Sequence, residues 1–415
     1  MGWQQRSRGS HDLPLSEVTA AALPKSRRLH PTVHLTAWVS FFTDFSSEMI
    51  YPLLPLFLTS LGARQMFIGL VEGIAEATAS LLKFLSGRIS DRLHKRKGLV
   101  LVGYSVSALA RPLMGLALLP YHVLILRFLD RTGKGLRTAP RDALIADVTP
   151  AEQRGQAYGY QRAMDHAGAV VGPLVATALM SALLIKERSV FLLAAIPGAV
   201  AVILVLMIRE KSEQTDTHSG EEAFATSTKV RLDPRLARVL TVLFLFALGN
   251  SSDAFLLLKA KETGIAAALI PALWSAHHLV KSSLSTPFSA LSDRWGRVQV
   301  IIVGWFIYAA VYAGFAFASQ PIHVWVLFAV YGCFFAMTEG TEKALIADLC
   351  PAQQRGAAFG VYHAGLGICS LAASLMTGWL WQSFNSATAL LTGSAIALLA
   401  ATLLVWQQRR GLLAG

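Results

Sequence analysis

The sequence predicts an all-α membrane protein of twelve transmembrane helices, arranged as two pseudo-symmetric six-helix halves, and three observations carry that reading. Of 415 residues, 54% are hydrophobic and only 15% charged, with a mean hydropathy of +0.49, more apolar than a soluble core of this length requires. The apolar residues fall into runs of about 20, enough to cross the hydrocarbon layer as a helix. The chain also repeats: "ALIADVTPAEQRGQAYG" from Ala143 to Gly159 returns as "ALIADLCPAQQRGAAFG" from Ala344 to Gly360, an offset of 201 residues. Shorter echoes lie near the same offset, "SDR" from Ser90 and from Ser292, and "SSE" from Ser46 against "SSD" from Ser251. Two parallel copies of one six-helix unit explain all of these.

In order, residues 1–33 form a polar N-terminal tail, too basic and too poor in apolar residues for a cleavable secretory signal. Spans follow at 34–61, 65–87, 98–119, 121–147, 157–184 and 190–208. Pro52 and Pro55 bend the outer half of span 1. Residues 209–236, rich in Ser, Thr and charge, cannot bury a core and read as a linker. The second half supplies spans at 237–258, 265–288, 298–319, 322–348, 357–382 and 387–406, and residues 407–415 form a short tail.

The formal charge of +12 raises the question of nucleic acid. With the N-terminus inside, about 22 of the Lys and Arg fall in cytoplasmic segments, about 5 outside and about 10 within spans, the positive-inside pattern. The charge reports topology, with both termini cytoplasmic in an inner-membrane protein and no nucleic-acid partner. Cys333, Cys350 and Cys369 have neither disulfide-framework nor zinc spacing and read as inert thiols. "RTGKGLRT" lacks the spacing of a phosphate-binding loop. No metal or cofactor motif and no catalytic triad is present, so the chain reads as a non-enzyme.

Span 4 is the anomaly. Arg127, Arg131, Lys134, Thr138 and Arg141 follow a helical i, i+4, i+7, i+11, i+14 spacing and form one stripe. A single basic residue at mid-membrane costs roughly 2.5–3.5 kcal/mol on insertion scales, so the stripe must face water or counter-charges. Span 1 carries Asp44, Glu48 and Tyr51 on one face, able to pair with the cations of span 4. Protonating such an acid would free the base and change which conformer is stable, so Asp44 and Glu48 are the first proton-coupling candidates. Span 2 offers Glu72, Glu76 and Lys83, and span 5 offers Arg162, Asp165 and His166; of these Asp165 is the third proton candidate. Arg111 of span 3 reads as structural. Span 7 carries Asn250, Ser251, Ser252 and Asp253, and span 10 carries Glu339, Glu342 and Lys343.

With these residues in place the sequence resembles the major facilitator superfamily of transporters over nearly its whole length. The loop "GRISDRLHKRKG" from Gly87 is similar to the family's loop signature, with His94 where Gly is usual, and "SALSDRWGR" from Ser289 is its second copy. In span 4, "RFLDRTGKGLRTAPRDALIAD" resembles the family's second motif, with Gly133 and Gly135 as close-packing glycines. In span 5, "GAVVGPL" resembles the motif of proton-coupled antiporters through Gly168, Gly172 and Pro173, although its terminal glycine pair is missing.

The resemblance implies a monomeric secondary transporter driven by the proton gradient, with no cofactor, exporting a small anionic or zwitterionic metabolite, siderophore-like compound or drug. Proton symport of an organic anion is the alternative, and a membrane sensor on the same scaffold is the alternative outside transport. The resemblance also implies that spans 1, 4, 7 and 10 line a central cavity. Tyr51, Arg127, Arg131, Lys134, Asp253 and Glu339 are then its substrate candidates. A cytoplasmic gate would comprise Gly87, Asp91, Arg92, Asp147, Asp293 and Arg294, with Asp91 and Arg92 reaching toward Asp147.

Overall fold

A computed structural model describes residues 29–93, 96–150, 153–208, 233–351 and 354–412. The N-terminal tail before Leu29 and most of the linker lie outside them. Every regular element among the described residues is helical. Span 1 is α1 (Pro31–Ile50), a 3-10 turn at Tyr51–Leu53 and α2 (Leu54–Ser60). Spans 2 to 5 are α3 (Gln65–Leu93), α4 (Arg96–Met114), α5 (Pro120–Asp147) and α6 (Arg154–Ser181), and span 6 is α7 (Glu187–Leu193) followed by α8 (Ala195–Met207). Span 7 is α9 (Pro234–Gly249) and α10 (Ala254–Glu262), separated by a break. Spans 8 to 12 are α11 (Ile270–Trp295), α12 (Arg297–Phe317), α13 (Pro321–Asp348), α14 (Arg355–Ser383) and α15 (Ser386–Arg409).

Local chemistry sets the starts. Pro31, Pro120, Pro234 and Pro321 open α1, α5, α9 and α13, that is, spans 1, 4, 7 and 10. Proline at the first helical position gives up an N–H that has no partner there and brings a helical φ. Asp233 and Asn385 cap α9 and α15 by accepting from the Arg235 and Thr388 backbone N–H at 2.7 Å each.

Eight described helices are long and apolar enough to cross a membrane by composition alone. α5 falls short because of its intramembrane charge, and span 1 because of the polar residues His34, Asp44 and Glu48 and the hydroxyls of its helix α1. Span 4 therefore lies in the bundle only because neighbours satisfy its charges.

Within the N-terminal half α1 packs on α6, and α4 and α3 on α5; in the C-terminal half α11 and α12 pack on α13, and α12 on α15. Two seams join the halves, α3 with α14 and α6 with α11. The α3–α14 seam is close because glycines line it. A Cβ on Gly69 would collide with the Ser374 carbonyl, and one on Gly378 would lie 2.7 Å from that of Gln65.

Candidate functional site

The stripe of α5 has two environments. Its outer part is paired within the N-terminal half. Arg127, 1% exposed, donates to Glu72 from Nε at 3.0 Å and Nη2 at 2.9 Å, with Nη1 3.5 Å from Asp130. Asp130 also accepts from Arg111 Nε at 2.9 Å, and Arg111 Nη1 donates to the Thr43 carbonyl at 3.0 Å. Arg131 is half-buried, 3.9 Å from Asp130. This forked pairing is the geometry that suits a guanidinium in low dielectric. Arg127 and Arg131 were read from the sequence as cavity residues; the structure sets both into this packed cluster instead.

Past Arg131 the same helix reaches a cavity of about 490 Å³ between the halves. Lys134, Arg137, Thr138 and Arg141 line it, joined by Lys83, Arg162 and Lys343. Its acids are Asp44, Glu76, Asp165, Glu339 and Glu342, and Phe246, Phe334, Phe335 and Leu243 form an apolar wall. Lys83, Arg141, Arg162, Asp165, Glu339, Glu342 and Lys343 come from the parts of their helices nearer the face bearing Pro31, Asp147, Arg154, Asp348 and Arg355, on which both described chain ends lie, and Lys134, Phe334 and Phe335 from the middle of theirs.

The charges are unevenly paired. Glu339 gathers cations from three helices: Arg162 at 2.7 Å, Lys281 at 2.8 Å and Lys343 at 3.3 Å. The Arg162 contact crosses from one half to the other. Asp165 accepts from Gln161 at 2.9 Å and stands 3.9 Å from Arg141, which is itself forked onto Asp142. Arg137 donates to Ser107 at 2.6 Å and lies over the Tyr104 ring. Glu342 accepts from Tyr362 at 3.0 Å and Trp305 at 3.3 Å. Among the described residues Asp44, Glu76, Lys83 and Lys134 have no ion-pair partner within 4.0 Å.

Toward the opposite face the halves close. Glu48 accepts from Trp274 Nε1 at 2.9 Å and lies 3.8 Å from His278, both on α11. The Tyr51 ring meets that of Trp274 at 5.2 Å, tilted by 45°, with the Arg127 guanidinium 5.3 Å from the Tyr51 ring centre, and Ser275 donates to the Val170 carbonyl at 2.8 Å. Asp253 accepts from Tyr331 at 2.6 Å. Glu48, Tyr51 and Asp253 are thus on the closed side, and Asp44, Asp165, Lys134 and Glu339 on the cavity.

The surroundings of Gly87 and the side chains of Asp91 and Arg92 lie outside what is described. Asp147 pairs with Arg96, and Asp348 with Arg297, so the two copies of the repeat hold equivalent ion pairs 201 residues apart. Arg297 also meets Asp293 at 3.1 Å, while Arg294 is exposed. Gly133 and Gly135 sit where α5 touches α4 and α3. Gly168 and Gly172 sit where α6 touches α1, with Pro173 inside the same helix.

The Glu72 fork, the contact of Trp274 with Glu48 and the Arg162–Glu339 bridge were not read from sequence. Glu72 and Arg162 carry a signal in that intramembrane charges demand partners; Trp274, as an indole, carries none. A family model described as Major Facilitator Superfamily matches residues 36–276 and 254–412. The chain belongs to this superfamily. An uncharacterized transporter of this superfamily from Methanocaldococcus jannaschii is 35% identical over 386 residues, covering 92% of this chain and 96% of that protein. A multidrug resistance protein of Proteus mirabilis is 23% identical, covering 80% and 83%. A bacterial homolog of the human lysosomal transporter Spinster, solved inward-facing and unoccupied, has the same fold, with a TM-score of 0.74 at 14% identity over 92% of this chain and 97% of that one. A D-xylose–proton symporter gives 0.70 at 16% over 90% and 96%. The protein is a membrane transporter of this superfamily and not an enzyme.

Proposed function

We propose that the chain is a proton-coupled secondary transporter that exports a small anionic or zwitterionic organic solute by alternating access. The face bearing the chain ends is the cytoplasmic one, as the positive-inside bias argues, so the cavity is open to the cytoplasm. The observation that carries the reading is the cavity's charge: six Lys and Arg against five Asp and Glu, with Lys134 and Lys83 unpaired. A carboxylate or phosphate supplies the missing partner for the cations, while Asp44 and Glu76 suit an ammonium group or a proton. Phe246, Phe334 and Phe335 suit an apolar body. Asp44 and Asp165 are the coupling acids in this state, and Glu48 is the one that the closed seam shields. The antiporter-like motif of α6 and the similarity to a multidrug resistance protein support export.

The test is a thermal-shift screen of purified protein against carboxylates, phosphates, zwitterions and hydrophobic cations at two pH values, since a ligand of the folded state raises the melting temperature by mass action. Stabilisation by an acidic ligand that is lost in Lys134→Ala is the expected result. Stabilisation by hydrophobic cations alone overturns the anionic reading. For a hit, the sign of the pH-gradient effect on flux in vesicles separates export by antiport from uptake by symport.

A further inference from the structure

Span 7 is interrupted inside the membrane without a proline. α9 ends at Gly249 and α10 begins at Ala254, leaving Asn250, Ser251, Ser252 and Asp253 between them. Polar groups converge on this break. Asp253 Oδ1 accepts from the Tyr331 hydroxyl at 2.6 Å, a length typical of O–H donating to an ionised carboxylate. Tyr308 donates to the Gly249 carbonyl at 3.0 Å. The hydroxyls of Ser251, 4% exposed, and Tyr312, 1% exposed, have no hydrogen-bond partner within 3.5 Å, their nearest polar neighbours being each other and the adjacent tyrosines. The Tyr312 hydroxyl stands beside Ser251, Tyr308 and Tyr331 and is an electrostatic neighbour of Asp253.

The charge balance of the cluster does not close. Among the described residues no Lys, Arg or His lies within 4.0 Å of Asp253. Its further charged neighbours are Lys281, committed at 2.8 Å to Glu339, and the acids Glu76 and Glu72, the latter forked onto Arg127; Tyr51 also faces it. The Asp253 carboxylate stands at the N-terminal end of α10, whose positive pole supports it together with the Tyr331 hydroxyl but falls short of a full counter-charge. The carboxyl-terminal end of a half-helix brings the negative pole of its dipole and carbonyls freed from the helical ladder, a combination used by membrane proteins to hold monovalent cations. No cluster of three His, Cys, Asp or Glu exists among the described residues, which disfavours transition metals. Asn250, in the same break, lines the cavity and gives an ion a path from water.

The repeat sharpens the point. Glu48, the counterpart of Asp253 in the "SSE"/"SSD" echo, lies in an unbroken part of α1 and has His278 at 3.8 Å and the Trp274 N–H at 2.9 Å. Both copies interrupt their helix near this point, span 1 at the 3-10 turn Tyr51–Leu53 and span 7 at Asn250 to Asp253, but among the described residues only Glu48 has an imidazole and an indole N–H beside its carboxylate.

We propose that the break in span 7 binds a monovalent cation of sodium size through the Asp253 carboxylate, the Ser251 hydroxyl and backbone carbonyls at the end of α9, with Tyr312 closing the site. This goes beyond the solute reading and does not depend on which solute is carried.

The test uses full-length purified protein in nanodiscs, its melting temperature followed against NaCl at constant ionic strength made up with choline chloride. A saturable rise with sodium is expected, absent in Asp253→Asn. Ser251→Ala, which keeps the carboxylate and the fold, should raise the half-saturating concentration by about tenfold, the loss of one oxygen contact to a charge. Equal curves in sodium and choline overturn the proposal, as does a sodium effect that survives unchanged in both variants. A stabilisation that follows only pH, without sodium dependence, also overturns it and makes a proton the counter-charge. The solute screen is scored separately, so failure of one reading leaves the other standing.

Discussion

Arg127 and Lys134 lie about two turns apart on one helical stripe, yet the structure gives them different surroundings. Helical spacing put both on one face, which is legible in the sequence because periodicity depends only on residue number. What sits opposite that face is not legible: Glu72 is 55 residues away from Arg127, and only the packing of α3 on α5 brings it there. The consequence is measurable. Glu72→Gln leaves a buried guanidinium with only the shared Asp130 carboxylate, and breaking a buried ion pair costs about 3–5 kcal/mol, so the melting temperature should fall sharply. Lys134→Gln removes an exposed charge on the cavity wall and should cost less than about 0.5 kcal/mol. A similar loss for the two variants would show that the stripe is not divided between packing and cavity.

At the scale of elements, the sequence marked out the helical architecture and the bend in span 1, but not the break in span 7. Pro52 and Pro55 predict a bend in span 1, and the 3-10 turn at Tyr51–Leu53 stands there. The break in span 7 carries no proline; its signal is the run Asn250 to Asp253, residue types whose short polar side chains compete with the helical ladder. Span 8 begins at Ile270 and continues unbroken to Trp295, although Ser282, Ser285 and Ser292 donate to carbonyls of their own helix. The small residues of α6 have a sharper role, since its contact with α1 leaves no room for a side chain. A Cβ at Gly172 would lie 2.5 Å from the Phe45 carbonyl, whereas one at Gly155 meets nothing within 4 Å. Gly172→Ala should therefore lose about 1–3 kcal/mol through overpacking, while Gly155→Ala should be neutral or slightly stabilising through helix propensity. Equal melting temperatures for the two variants would mean that α6 and α1 can move apart freely.

The whole molecule is two halves joined more tightly at one face than the other. The sequence revealed the halves through the 201-residue repeat, but a repeat is symmetric and cannot state which side of the seam is closed. That depends on contacts between side chains unrelated by the repeat: Trp274 with Glu48, Tyr51 with Trp274, Ser275 with Val170, and Gly69 against Ser374. A state open at the opposite face must break all of them, so weakening them should shift the population toward it. A hydrogen bond to a charged group contributes about 1.5–3 kcal/mol, so Trp274→Phe should move the two-state ratio by about tenfold or more. Gly69→Ala adds a wedge at the other seam, and the two effects should add because the sites lie on different seams. Distances between spin labels placed across the closed face report this directly: the long-distance population should grow in each single variant and grow further in the double variant. If the distribution stays that of the unsubstituted protein in all three, these contacts do not hold the face closed, and the restraint must come from the α3–α14 packing that a single methyl group leaves intact.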